Sequence, residues 1–432
     1  MVERLIYILI LICISLLGYS QDPTVSQPNL VRNYINPAYA GFTTNLNFSY
    51  TNRNQWNYVP DAMSTNIFSL DNYCSNSGFG LGLLGMTNKE GEGVIKTTNV
   101  SGLTSYTLSS GSANSVGKFM ISGALQVGIL QKKIDWDNLV FSDELDNIYG
   151  NIYTTNAFPR NEATPVMADI GGGTVMRWAF EKKTNYRKKV SYTGSYITLG
   201  AAVQHMNQPD ESIIGIETKL PRRYNIHSNL MLRIIQNKRV KVDEKPASYI
   251  GIEGLYQQQG QLRSIRTGVV FTHNNFLFIN LAWRGSSTEY RNTDSFIFSV
   301  LTSFPSIKIN KAKKDQGKIV NNELKNTKST VNFNSSDVIS VGLNYDLTSY
   351  PLSNRLTKGT WELVFRYDFT NRRLCRSESQ REARKRIGHH NNCPAPGGTN
   401  YQMLKNNPTK KEHDALKKSH REKDMKPYGF GM

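Results

Sequence analysis

The chain has 432 residues, 38% of them hydrophobic, with 22 Tyr and 18 Phe. Past the first twenty residues no run approaches the ~18 consecutive apolar residues of a transmembrane helix, and the four cysteines lack the spacing of a zinc or redox site. The formal net charge of +18 would by itself admit a nucleic-acid partner, but from Asn371 onward 15 Lys/Arg stand against 6 Asp/Glu, so +9 of it sits on one terminal segment.

At the start of the chain, Arg4 precedes an apolar run from Leu5 to Leu17, and Gly18 and Ser20 place small residues ahead of Gln21. This is the pattern of a cleavable secretory signal over residues 1–20. Cys13 follows the bulky Ile12 and does not read as a lipid-attachment site. Export removes the chain from nucleic acid. An exported chain without apolar helices is either soluble or a closed membrane β-barrel, the other structure that satisfies every backbone group in lipid.

From Asn45 to Phe369 the chain is a series of short segments of period-two hydrophobicity separated by Asn, Gly, Asp and Ser. Trp361, Leu363, Phe365, Tyr367 and Phe369 alternate with Thr360, Glu362, Val364, Arg366 and Asp368, and Ile339 to Leu347 repeat the pattern. In a strand the two sets point to opposite faces, so Glu362, Arg366, Asn344 and Asp346 are expected to face inward. Strands are predicted at 45–54, 63–72, 78–86, 96–108, 118–130, 167–180, 192–206, 220–236, 246–257, 262–274, 275–284, 293–304, 337–347 and 360–369. A soluble sandwich would alternate in the same way. Segment lengths near the ~9–11 residues that span lipid, with Tyr50, Trp56, Tyr58, Trp178, Tyr192, Trp283 and Trp361 near segment ends, point instead to an antiparallel transmembrane β-barrel of about 14 strands with interfacial aromatic girdles.

Residues 134–163 read as a structured loop and Lys308 to Ser336 as a solvated excursion. The organisation expected is a signal peptide over 1–20, a barrel over 21–370 and a basic tail over 371–432. The tail is too poor in apolar residues to fold strongly alone, with one helical piece plausible from Thr409 to Met425. Cys375 and Cys393 can pair within it, which would leave Cys74 alone.

No catalytic set survives inspection. His205, His227 and His389-His390 lack a Ser or Cys in a nucleophile context. Gly171-Gly172-Gly173 and the Gly80, Gly82, Gly85 series lack the Lys-Ser/Thr of a P-loop and are expected to relieve crowding in bent strands. Asn88 to Gly93 reads as a polar turn, since it lacks the spaced acids of a calcium loop, and Asp135, Asp137, Asp143, Glu144 and Asp146 as acids that solvate their loop. The expectation is a non-enzyme with no cofactor and no metal, in contact with outer-membrane lipid.

Seven ordered elements then resemble the PorP/SprF family of outer-membrane proteins associated with type IX secretion. They are Gln21-Asp22-Pro23 with Ser26-Gln27 and Asn36-Pro37-Ala38-Tyr39-Ala40-Gly41; Tyr50 to Trp56; Gly78 to Lys96; Ile134-Asp135-Trp136 with Leu139-Val140-Phe141 and Asp143; His205 to Pro209; Lys219 to Tyr224; and Gly342 to Asp346 with Trp361 to Phe369. The resemblance implies an outer-membrane barrel with both termini in the periplasm, working with type IX secretion components. It also implies a role in exporting or anchoring surface adhesins, through their C-terminal domains, and in gliding motility. The tail departs from the pattern: Cys393-Pro394 resembles the family's ending, yet the chain continues to Met432. That extension would lie within reach of peptidoglycan or a periplasmic ring protein. The alternative is an outer-membrane diffusion channel or solute transporter.

Overall fold

The computed structural model describes residues 22–369 apart from 44–45, 60–61, 75–77, 92–94, 111–116, 137–138, 154, 156–162, 181–194, 214–216, 235–247, 274–275, 287–292, 306–336 and 350–353. The expected signal peptide, the Lys308 to Ser336 excursion, the basic tail with its helical piece, and Cys375 and Cys393 lie outside the described residues.

Fourteen antiparallel strands close into one barrel. In chain order they are β1 (Leu46–Gln55), β2 (Ser64–Cys74), β3 (Phe79–Glu90), β4 (Ile95–Ser110), β5 (Gly117–Lys133), β8 (Met167–Phe180), β9 (Ser195–Gln204), β10 (Arg223–Ile234), β11 (Ser248–Gln259), β12 (Leu262–His273), β13 (Leu277–Ser286), β14 (Thr293–Pro305), β15 (Val338–Thr348) and β16 (Thr360–Phe369). A two-residue hairpin, β6 (Leu145–Asp146) and β7 (Gly150–Asn151), sits in the long connection between β5 and β8. Each barrel strand overlaps a predicted one. Closure comes at a seam where β1 pairs with β16 over its length, from Leu46 opposite Phe369 to Gln55 opposite Thr360. Because the order is antiparallel, Leu46 and Phe369 share one mouth, here called the seam mouth. The turns β1–β2, β9–β10, β11–β12 and β15–β16 share the far mouth.

Burial resolves what alternation left open. On β16, Trp361 and Leu363 are 43% and 46% exposed, while Glu362 is 0% and Asp368 1% exposed. The same inversion runs round the ring: Leu81, Leu83, Leu125, Val127, Ile252, Leu281, Phe298 and Leu343 stand outside, and Asn47, Arg53, Asn99, Asn225, Glu253, Arg266, Asn280 and Asn344 inside. In water an apolar surface of this extent would aggregate; in lipid it is the required exterior, and the polar set lines a lumen. Aromatics mark both rims. Tyr58, Trp361, Trp283 and Phe296 lie toward the far mouth, and Phe79 with Tyr106, Phe119, Trp178 and Phe276 with Phe304 toward the seam mouth.

An eight-stranded barrel is just filled by its own side chains, whereas fourteen strands leave an interior to occupy. Residues 22–43 occupy it. This segment carries a single turn of helix, α1 (Arg32–Ile35), and a 3-10 turn over Pro37–Tyr39, and it holds no strand. Val25, Leu30, Val31, Tyr34, Ile35 and Ala40 join inward wall residues Tyr196, Met231, Tyr249, Val270, Phe278, Leu301 and Val364 in one buried apolar cluster. Ile67, Leu84, Met86, Leu103, Ala179 and Leu255 belong to the same cluster, so its wall side runs through both halves of the lumen, among buried polar residues such as Asp71, Arg177 and Asp368. A second short helix, α2 (Asn354–Thr357), lies in the β15–β16 connection.

The cysteine expectation is corrected at one point. Cys74, at the seam-mouth end of β2, is disulfide-bonded rather than alone.

Candidate functional site

The segment begins at the far mouth. The Asp22 amide N–H donates to Gln259 Oε1 over 2.9 Å, and the Asp22 carboxylate lies 2.7 Å from His205 Nε2 and 3.6 Å from the Arg223 guanidinium. The other ring nitrogen of His205 is 2.8 Å from Asp169 Oδ1. His205 follows the last residue of β9 and holds φ at +55°, a left-handed conformation that costs a non-glycine residue free energy unless the surroundings impose it. Two carboxylates do so here. Burial pushes the imidazole down, but Asp22 and Asp169 outweigh it and hold the group at about 10, so it is an imidazolium at neutral pH. Burial would raise Asp22, yet His205, Arg223 and Lys132 hold it below the usual carboxylate range.

The sign of the linkage follows. A group whose folded pKa is raised contributes fully below its unfolded value and loses that contribution as pH climbs through the folded one. Raising the pH from about 6.5 toward 10 is therefore expected to loosen the Asp22 end progressively. Limited proteolysis of the N-terminal residues across that range checks this, and His205→Gln is expected to flatten the profile.

Deeper in, wall acids grip the segment's backbone and amides. The Ser26 and Gln27 N–H groups donate to the two Glu362 oxygens over 2.7 and 3.3 Å. Arg53 lies 3.5 Å from that carboxylate and 3.1 Å from Asp346, and its NH1 also reaches Ser26 Oγ. Gln27 Oε1 accepts from Arg266 over 2.8 Å, and Arg266 pairs with Glu253, to which Asn29 donates. Asp71 takes three contacts from the segment: Asn33 Nδ2 at 3.0 Å, the Gly41 N–H at 3.0 Å and the Arg32 guanidinium at 3.8 Å. Asn33 also donates to Ser69 Oγ over 2.6 Å.

The Asn36-Pro37-Ala38-Tyr39-Ala40-Gly41 run docks on a glycine-thin stretch of wall. Asn36 Oδ1 caps the 3-10 turn by accepting from the Ala38 N–H at 3.0 Å. Its Nδ2 reaches the carbonyls of Thr174 and Ala201, on adjacent strands, over 3.0 and 3.2 Å. Tyr39 stacks on His227 with centroids 5.3 Å apart, and Ser105 Oγ donates to the Ala40 carbonyl over 2.6 Å. A Cβ on Gly173 would come within 2.3 Å of Asn36 Oδ1, and one on Gly80 within 2.1 Å of the Ala40 oxygen. These two glycines are needed for the approach of the segment, a more specific reason than strand bending. On the outer face of the same strands, Gly123, Leu125, Gly172, Thr174 and Ala201 line a shallow apolar groove.

Of the residues expected inward, Glu362, Asn344, Asp346 and Arg366 all face the lumen at 4% exposure or less. The structure joins the first three: Asn344 Nδ2 donates to Glu362 Oε1 over 2.8 Å, and Arg53 bridges Glu362 and Asp346. Arg366 stands apart, paired with Asp368 at 3.0 Å. All four are buried and paired within the wall, and of them Glu362 also holds the segment. Sequence reasoning left 22–43 unassigned. Its trace lay in Leu30, Val31, Tyr34 and Ile35, apolar at helical spacing inside an otherwise alternating chain. Of the loop acids, Asp146 accepts from the Ile148 and Tyr149 N–H groups at 2.8 and 2.9 Å, Glu144 from the Phe141 N–H at 3.0 Å and Asp143 from Thr155 Oγ1 at 2.9 Å; Asp137 lies outside the described residues. Among the described residues no group of three His, Cys, Asp or Glu is placed to hold a metal ion.

Comparison with known proteins gives one family match: residues 17–367 match the type IX secretion system membrane protein family PorP/SprF. No curated protein gives a significant match. Similar solved structures include the P. putida toluene transporter TodX, at 9% identity and TM-score 0.32 over 79% of this chain and 93% of that one. The Ralstonia pickettii toluene transporter TbuX follows at 10% and 0.30 over 79% and 93%. BamA from Haemophilus ducreyi lacking POTRA domains 1-3 stands at 7% and 0.30 over 75% and 70%. Likeness at this level carries no inference about what this barrel binds or passes.

Proposed function

The chain belongs to the PorP/SprF family of type IX secretion system membrane proteins, and we propose that it is a non-enzymatic docking component that helps export and anchor surface proteins such as adhesins. It is an outer-membrane β-barrel, and its partners fall among the components of that secretion system. The observation that carries the docking reading is the filled lumen. Residues 22–43 run from the far mouth to the seam mouth and are held by Glu362, Glu253, Asp71 and the His205 clasp. A resting barrel occupied along its length favours a platform that binds a protein over a pore through which solutes diffuse. The family implies both termini in the periplasm; Asp22 and Phe369 lie at opposite mouths, so we apply that orientation to the paired ends of β1 and β16 alone. In that orientation the far-mouth turns are presented to the exterior, where an exported C-terminal domain arrives, and the basic tail faces peptidoglycan or a ring protein.

The test is affinity purification from detergent-solubilised outer membranes, with co-purifying chains identified by mass spectrometry and the purified barrel examined in planar bilayers. Recovery of a large exported protein or of secretion components, with no steady conductance, is the expected result. A partnerless barrel with steady conductance would transfer the assignment to a diffusion channel or solute transporter.

A further inference from the structure

The lumen wall is complete without the segment that fills it. All fourteen strands are paired on both sides, and 22–43 adds no strand to them. The wall's charges are also largely paired among themselves: Arg53 with Asp346 and Glu362, Arg284 with Asp346 and Asp294, Arg266 with Glu253, Arg366 with Asp368. Withdrawing the segment would leave these pairs intact and take partners only from Arg223, His205 and Asp71, which meet Asp22 and Arg32 on it.

What the wall shows beyond its own needs is a set of features suited to a polypeptide. Glu362 takes two consecutive backbone N–H groups, Ser26 and Gln27. Asp71 takes a backbone N–H and an Asn amide, and the carbonyls of Thr174 and Ala201 take another amide. Tyr196, Met231, Tyr249, Val270, Phe278 and Leu301 turn apolar side chains inward, where a water-filled pore has no use for them. Charge is matched at two points: Asp22 meets His205 and Arg223, and Arg32 meets Asp71, while Glu362 and Glu253 are paired with the wall's own Arg53 and Arg266.

We propose that the lumen is a peptide-binding tract whose resident ligand is the chain's own residues 22–43, and that a polypeptide of like chemistry displaces it. That chemistry is a neutral or basic stretch with apolar residues at helical spacing and amide side chains at its turns. An acid at the position of Arg32 is opposed by Asp71, whereas the far-mouth end accepts one, Asp22, against His205 and Arg223. The identity of the incoming polypeptide as an exported protein rests on the function proposed above; the tract itself does not.

The experiment uses the full chain. Asn33→Cys with Ser69→Cys replaces a 2.6 Å donor–acceptor pair between segment and wall, and oxidation, verified by mass spectrometry, locks the segment in place. The Asn33→Cys single variant under the same oxidant is the unlocked control. An immobilised synthetic peptide of residues 22–43 is expected to capture the unlocked barrel about tenfold or more better than the locked one. The same peptide carrying Arg32→Glu and Asn33→Asp is expected to capture neither. Equal capture of locked and unlocked protein, or none of either by the unmodified peptide, would overturn the tract. In cells, the locked variant is expected to lose the co-purifying exported protein. If deletion of the whole chain abolishes export while the lock leaves it intact, the secretion role stands and displacement falls. If deletion leaves export intact, the secretion role falls, and peptide capture alone still decides the tract.

Discussion

Gly80→Ala is expected to unseat the N-terminal segment while leaving the barrel closed. A Cβ at this position would lie 2.1 Å from the Ala40 carbonyl oxygen and 2.4 Å from Ser105 Oγ. The first of these is backbone, and Gly41 behind it holds φ at +65°, with its own Cβ position 2.5 Å from Gly80 Cα. Neither chain can yield by turning a side chain. Overpacking of this kind costs about 1–3 kcal/mol, and forcing Ala40 away from Ser105 leaves a buried carbonyl unpaired at a cost of about 1–3 kcal/mol more. The strain falls on the segment, because β3 is held by ladders to both β2 and β4. Gly123→Ala is the control, since a Cβ there meets nothing within 4 Å. Bilayer conductance and protease cleavage within residues 22–43 are the readouts. Gly80→Ala should raise both and Gly123→Ala neither; a silent Gly80→Ala would show that the docking against Ala40 is misplaced.

Leu343→Arg is expected to destabilise the barrel in lipid by about 2–4 kcal/mol, the range for a charge on the lipid face near the bilayer midplane. Leu343 sits mid-strand on β15, opposite Leu363 on one neighbour and Val300 on the other, and is 48% exposed. One residue along, Asn344 is fully buried against Glu362. Folding equilibria in phospholipid vesicles, with Leu343→Ala as reference, measure the effect. The pair of positions makes the test specific: were the barrel's exterior in water, Leu343→Arg would be nearly neutral.

The strand series was legible because a spanning strand announces itself locally. Ten residues from Thr360 to Phe369 suffice to show two faces, and the observed burial follows them residue by residue. Which face meets water was not legible there, since Glu362 and Arg366 look alike whether they point to solvent or to a lumen. Residues 22–43 were illegible for a different reason. Ser26 means little until Glu362, 336 residues later, is seen to accept its N–H, and Asn36 meets Thr174 and Ala201 at separations of 138 and 165. Gly80 and Gly173 were noticed, but the atoms that require them belong to that same distant segment. Of the candidate site, the wall side was foreseen through Glu362, Asn344 and Asp346. The side that completes it was not, and the covalent partnership of Cys74 depends on a contact that spacing alone does not reveal.

The seam also constrains how the molecule can be made. β1 and β16 meet along ten residue pairs and complete a ring around a piece of the same chain that lies upstream of β1. That piece must be laid against the open sheet before the ring shuts, or else be threaded afterwards, free end first, through one opening. The first route makes the joining of the chain's two extremes the final event of assembly and the moment of enclosure. It also sets a rule for labelling: a folded fusion placed ahead of Asp22 would be carried to the opening opposite the seam's ends, outside the ring.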